Sequence, residues 1–183
     1  KGEFQHLCGS TIISSSFAVT AGHCINEKDS TYKRSASEIF LLANVYDLKQ
    51  TNESQKIDMQ KIISHPDWNP QTESYDGDIA ILHFKEPLKL SDQITPICLW
   101  NDDSEKATHG KILTFIALEE GDPGYYNHHF DENNNYPKEF TMPIRSECVK
   151  IQSRFESIQS NRTFCAGGLN SGACLEVGNS GSS

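Results

Sequence analysis

Long apolar runs are missing from this sequence. A spanning helix needs roughly 20 consecutive apolar residues, and polar or charged side chains interrupt every hydrophobic stretch well before that. The opening residues, KGEFQHLCGS, also lack the charged start and apolar middle of a signal peptide, so the chain reads as one that begins after processing or is incomplete. Basic residues are scarce: 16 Lys and Arg face 25 Asp and Glu, for a net charge of -9. They are spread along the chain, which argues against a nucleic-acid or anionic-membrane surface, since those partners need concentrated positive charge. The six cysteines include no CxxC pair, so a zinc site or thioredoxin-like motif is disfavoured. A disulfide framework made in an oxidising compartment is the better reading. There is no internal repeat.

What is present suits a folded domain. The 183 residues, 36% of them hydrophobic, suffice for one sizeable domain or two small packed halves. Two sequons, at Asn52 and Asn161, fit glycosylation on a secretory route. Short segments rich in β-branched and apolar residues recur at His6–Ile13, Phe17–Thr20, Glu38–Tyr46, Ile57–Ile63 and Asp78–Phe84, with Ser, Asn, Asp and Pro between them. That spacing favours an antiparallel barrel or sandwich over alternating βα units. Residues 86–110, polar and twice broken by proline, suit a connection between two halves. Strand character resumes at Lys111–Leu118. Residues 119–138 read as a long exposed loop. A strand near Phe140–Ile144, an amphipathic helix from Ser146 to about Ser157 and a strand at Thr163–Ala166 complete the pattern.

Three segments carry chemistry. The first is Cys8-Gly9-Ser10-Thr11-Ile12-Ile13 with Ala18-Val19-Thr20-Ala21-Gly22-His23-Cys24. The second is His65-Pro66-Asp67-Trp68-Asn69-Pro70 followed by Asp76-Gly77-Asp78-Ile79-Ala80-Ile81-Leu82. The third is Gly172-Ala173-Cys174-Leu175-Glu176-Val177-Gly178-Asn179-Ser180-Gly181. Together, and in this order, they resemble the motifs of the trypsin-like serine proteases (peptidase S1). The phrases AGHC, ICLW and TFCAGG look most like insect members that carry upstream regulatory domains.

The resemblance implies an all-β fold of two antiparallel six-stranded β-barrels, the second truncated here, with one short intermediate helix. Residues 1–85 would form the first barrel, 86–110 the connection and 111–183 part of the second. It implies a catalytic triad of His23 as general base, Asp78 as its orienter and Ser180 as nucleophile, with the backbone N–H groups of Gly178 and Ser180 forming the oxyanion hole. An Asp opening a buried strand needs a partner for its charge, and His23 would provide one; Asp76 is better explained as a turn residue capping that strand. It pairs Cys8 with Cys24 and Cys148 with Cys165. Cys98 matches the cysteine that ties the protease domain to a propeptide or regulatory domain, and Cys174 one whose partner lies nearer the C-terminus. Gly172 and Ala173 fall at the base of the specificity pocket, where trypsins carry an aspartate, so a small or apolar side chain suits it better than Lys or Arg.

The sequence departs from the family pattern at several points. Asn179 stands where the family has the aspartate that pairs with the new N-terminus on activation, and losing one member of a buried pair costs roughly 3–5 kcal/mol. Two extra residues separate Cys174 from Gly178, and Ser182-Ser183 replace the glycine-rich end. Phe115-Ile116-Ala117-Leu118 stands near where the family has Gly-Trp-Gly. The family chain also continues beyond both Lys1 and Ser183. The reading is therefore a secreted serine endopeptidase made as a zymogen. It acts on protein substrates after cleavage by an upstream protease and needs no cofactor. The alternative is a catalytically silent homologue that binds proteases or their substrates as a regulator.

Other features carry less. His128, His129 and Asp131 offer metal ligands, but adjacent histidines in an Asn- and Glu-rich loop are usually solvated. The loop from Asn44 to Ser54 corresponds to a calcium loop of some family members, yet Asp47 and Glu53 lack the expected carboxylate spacing. No metal site is assigned. Trp68 and Trp100 read as packing residues.

Overall fold

A computed structural model describes residues 5–27, 30–47, 50–72, 74–99, 111–118, 136–145, 148–151, 153, 155–158, 160–167 and 180–181. The first strands are β1 (Thr11–Ile12) and β2 (Phe17–Thr20), joined by a turn of three serines. Small polar residues suit that turn: the Ile13 N–H donates to the Phe17 carbonyl at 3.0 Å and the Ser16 N–H to Ser14 Oγ at 3.2 Å. A 3-10 helix at Gly22–Ile25 follows, then β3 (Phe40–Ala43), β4 (Gln55–Ser64) and β5 (Ala80–Phe84). These five strands form one antiparallel sheet in the order β1-β2-β5-β4-β3.

Alternation builds its core. Ala18 and Thr20 of β2 and Ala80, Leu82 and Phe84 of β5 point to one face, while Val19 and Ile81 between them point to the other. In β4 the buried residues are Ile57, Met59 and Ile62, so the period of two breaks once. The register explains it: Met59 lies opposite Phe84 and Lys61 opposite His83, leaving Gln60 as the surplus residue of a β-bulge. The bulge also lies where β4 changes partners, from β3 over residues 55–58 to β5 beyond. Ile25 of the 3-10 helix, 1% exposed, and Leu88 join the same cluster.

The second unit is smaller. β6 (Ile112–Leu118) pairs along its length with β7 (Pro137–Arg145), and the end of β7 pairs with β8 (Cys165–Ala166), giving the order β6-β7-β8. Among its described side chains the buried apolar residue is Met142.

These findings correct the expected architecture. Among the described residues there are not two six-stranded barrels but one open five-stranded half-barrel and one unclosed three-stranded sheet. A barrel closes only when its first and last strands pair. Among the described residues β1 pairs only with β2, β3 only with β4, and β6 only with β7. Among the described residues the single intermediate helix is also absent as such. In its place lie two four-residue turns, α1 (Cys148–Ile151) and α2 (Phe155–Ile158). Between them the Ser153 carbonyl accepts from the Glu156 N–H at 3.0 Å, a bond three residues apart that restarts the coil instead of extending it. Ser146, where that helix was expected to begin, lies outside the described residues, as does most of the loop expected over 119–138. The end of that loop is strand, since β7 begins at Pro137.

Candidate active site

His23 is presented by the turn that ends β2. The 3-10 helix forms when the Cys24 N–H donates to the Ala21 carbonyl and the Asn26 N–H to the His23 carbonyl, both at 3.2 Å. Two anchors fix it. Ile25 is sunk in the core, and Cys24 is disulfide-bonded to Cys8, as the resemblance implied. Gly22 permits a close approach from outside: a Cβ there would stand 3.0 Å from Asp78 Oδ1 and from the Trp68 ring. Trp68 Nε1 donates to Asn26 Oδ1 at 3.0 Å, so the indole spans the turn and holds its exit. The packing role expected for Trp68 thus has a definite object.

Asp78 enters from the loop before β5. Gly77 takes φ +68° and the Ile79 N–H donates to the Gly77 carbonyl at 2.7 Å, a tight reversal that turns the Asp78 side chain toward His23. Both carboxylate oxygens are used. Oδ1 accepts the His23 main-chain N–H at 2.7 Å and Oδ2 meets His23 Nδ1 at 2.8 Å. The Asp78 side chain is 13% exposed against 39% for His23. A nearly buried carboxylate is tolerable because two N–H groups replace its lost water. An ionised carboxylate only accepts, so Nδ1 carries the ring hydrogen and Nε2 of the neutral imidazole is left as a lone-pair base. The Tyr75 ring stands edge-on to the imidazole at 6.4 Å.

Ser180 lies on the strand pair that carries His23. Its carbonyl accepts the Gly9 N–H at 2.8 Å, and Gly181 follows at φ +77°. A Cβ on Gly181 would fall on the Gly9 carbonyl oxygen and 2.5 Å from Thr20 Oγ1, which itself donates to Gly9 O at 2.8 Å. The segment is thus docked beside Cys8 and Ala21, on the chain that leads into His23. Among the described residues no hydrogen bond joins Ser180 to His23. Thr20, Ala21, Tyr75, Asp78, Arg162 and Gly181 are among the walls of a cavity of about 480 Å³ at this junction. Gly178, Asn179, Gly172, Ala173 and Cys174 lie outside the described residues, as do His128, His129 and Asp131.

The remaining sites fall as follows. Cys165 is disulfide-bonded; the side chain of Cys148 lies outside the described residues. Cys98 is free and exposed. Asn52 and Asn161 are both exposed and both on turns. Cys8, His23 and Cys24 crowd their potential ligand atoms within 4.8 Å, but the disulfide uses both sulfurs, so they make no metal site.

One residue escaped the sequence reading. Arg162 donates through Nε to Asp76 Oδ1 at 2.9 Å and through Nη1 to Asp67 Oδ2 at 2.6 Å, while Nη2 bonds Asp76 Oδ2. These bonds hold the Asp76 carboxyl below its ordinary pKa, and both carboxylates raise that of Arg162. The partners are 86 and 95 residues away in sequence, so no local pattern signals them. Asp76, expected to be only a strand-capping turn residue, is one end of this long-range pair.

An antiparallel sheet that holds a carboxylate-bonded histidine beside a disulfide, with a serine-bearing turn docked on the same strands, has the make-up of a serine protease. The chain belongs to the trypsin family, whose family model, described as Trypsin, matches residues 1–183. Serine protease gd of Drosophila melanogaster is 29% identical over 188 residues, covering 90% of this chain and 33% of that protein. Coagulation factor IX of Oryctolagus cuniculus is 35% identical over 101 residues, covering 55% of this chain and 34% of that protein. The chain therefore spans about a third of the length of these curated relatives. Among solved structures, neuropsin, a serine protease expressed in the limbic system of mouse brain, superposes with a TM-score of 0.74 over 98% of this chain and 73% of that one. At 21% identity that likeness concerns the fold alone. Among the described residues no helix is long and apolar enough to cross a membrane.

Proposed function

We propose that this chain is the catalytic part of a secreted serine endopeptidase made as a zymogen. The observation that carries the reading is the His23–Asp78 pair, in which both carboxylate oxygens serve one residue. His23 Nε2 takes the hydroxyl proton of Ser180 as Oγ attacks the scissile carbonyl, and Asp78 stabilises the imidazolium that forms. The N–H groups of Gly178 and Ser180 hold the oxyanion. His23 then returns the proton to the leaving amine, and water cleaves the acyl-enzyme by the same route in reverse. The triad needs no cofactor. Gly172 and Ala173 at the pocket base favour a small or apolar side chain before the cleaved bond. Cys98, which is free and exposed, tethers a propeptide or regulatory domain in this reading. Asn52 and Asn161 carry glycans.

A second reading is favoured by two observations. Asn179 cannot make the activating ion pair, and Ser180 makes no hydrogen bond to His23 among the described residues. In that reading the protein is a silent homologue that binds proteases or their substrates. Fluorophosphonate labelling of the full-length, cleaved protein separates the two. Covalent label on Ser180, absent in Ser180→Ala, supports the enzyme. A folded, cleaved protein that takes no label leaves only the regulator.

A further inference from the structure

We propose that Arg162 is a positioning residue for Asp78, holding from the far part of the chain the loop on which the His23–Asp78 pair depends. The inference rests on the reading of that pair as the base of a protease site.

Asp78 lies outside the sheet, since β5 begins only at Ala80. Its own N–H is held by the Tyr75 carbonyl at 3.2 Å, a long bond within the same loop. Yet its two oxygens must both stay within hydrogen-bond reach of one residue, at 2.7 and 2.8 Å. A carboxylate gripped at both oxygens tolerates little rotation, so something beyond the loop has to fix it.

The surroundings supply a floor and a clamp. The floor is His65: a Cβ on Gly77 would lie 2.8 Å from His65 Nδ1, so the reversal rests directly on that ring. The His65 N–H donates to the Ile79 carbonyl at 3.0 Å, binding the floor to the other side of Asp78. The clamp is the Arg162 guanidinium. Two of its nitrogens close on Asp76, two residues before Asp78, and the third reaches Asp67, two residues after His65. Nη1 also stands 3.4 Å from His65 Nε2. One rigid plane thus ties the loop to the floor beneath it.

Arginine suits this task for its geometry. The Arg162 side chain is 45% exposed, and exposed ion pairs add little to stability. A planar fork bonded to two carboxylates nevertheless fixes direction as a lysine ammonium cannot. Arg162 also belongs to the segment before β8, where Thr163 Oγ1 accepts the Ser160 N–H at 2.8 Å. Both Arg162 and Thr163 face the cavity, so the clamp makes the geometry of the base depend on the fold of the second unit.

The test uses full-length protein carrying Arg162→Ala, Arg162→Lys, Asp76→Asn or the Ala/Asn pair; all keep the Asn161 sequon. In Arg162→Ala we expect kcat on a small ester substrate to fall roughly 10- to 100-fold, with KM changed less than about threefold and a near-parental thermal midpoint. Arg162→Lys recovers part of the loss, and the double variant is no worse than the single, because one interaction is removed in each. The ring-nitrogen chemical shifts of His23 are the second readout and move when Nδ1 loses its fixed acceptor. They also separate the two hypotheses. If the parent protein proves inactive, the protease reading fails, but a shift change in Arg162→Ala still upholds the clamp. Unchanged His23 shifts, or a kcat loss that only tracks a fall in thermal midpoint, overturn it.

Discussion

Replacing Asp78 by asparagine removes one acceptor while changing almost no volume. In the parent both oxygens accept, one from a main-chain N–H at 2.7 Å and one from the ring at 2.8 Å. Asparagine offers one oxygen and one NH2, so one of those two donors must lose its partner. The main-chain N–H of His23 cannot change its chemistry. The imidazole can, by moving its hydrogen from Nδ1 to Nε2. The lowest-cost solution aims the amide oxygen at the backbone and the NH2 at a bare Nδ1. All hydrogen bonds are then kept, and stability should fall by only about 1 kcal/mol. Catalysis pays instead, because Nε2 now carries a hydrogen and has no lone pair for the Ser180 proton. The same exchange in a Ser-His-Asp triad lowers kcat by ~10⁴-fold, about 5 kcal/mol of barrier. The assay is the second-order rate of fluorophosphonate labelling of Ser180, read beside a thermal melt. Asp78→Asn labelling within tenfold of the parent, with a parental melt, would refute this account of how Asp78 acts.

Three further outcomes are expected. Removing the disulfide with Cys8→Ser and Cys24→Ser opens a loop with a sequence separation of 16, which in the chain-entropy estimate destabilises by about 3 kcal/mol, measurable by denaturant melts under oxidising conditions. Gly181→Ala forces a left-handed backbone costing about 1–2 kcal/mol and puts a methyl group onto the Gly9 carbonyl, so the Ser180 segment should undock and labelling fall at least roughly tenfold; parental labelling would show that the docking does not matter. The Asp76 carboxyl is held below its ordinary value of 3.8, so the Arg162 clamp is fully present above that value and lost as pH falls through the depressed one. The side-chain carboxyl carbon shift of Asp76 should therefore stay constant between pH 7 and pH 5 and move only below 3.8; a titration of that carboxyl between pH 7 and pH 5 would show that Arg162 does not hold it.

Most strands were legible where alternation is clean. Phe17–Thr20 was expected at its observed bounds, and Ala80–Phe84 lies within the segment expected to carry it, because every second residue is buried. The β4 segment reads less well: its burial pattern shifts parity at the bulge, and its pairing extends to Gln55 and Ser64 beyond the apolar run. The expected strand over His6–Ile13 shrinks to Thr11–Ile12, since the backbone near Cys8 bonds to the Thr20 side chain and to Ser180 instead. The His23–Asp78 contact was legible because each residue stands in a dense motif that also supplies its support: Cys24 and Gly22 for one, Gly77 for the other. Arg162 has no such neighbourhood, and its role exists only once segments far apart in sequence meet. The openness of both sheets was likewise illegible, because residue alternation records which face is buried and not whether the outermost strands meet.

The bulge in β4 has a consequence for how this chain tolerates insertion and deletion. Gln60 is one residue more than the ladder requires, so losing it would leave Ile57, Met59 and Ile62 on the inner face in an unbroken alternation. The change would fall on the bend that carries the strand from β3 to β5. A deletion within β5, by contrast, would turn part of Ala80, Leu82 and Phe84 outward and empty the core. The same small genetic event is thus nearly silent in one strand and ruinous in its hydrogen-bonded neighbour, so alignment gaps should collect at position 60 and avoid 80–84.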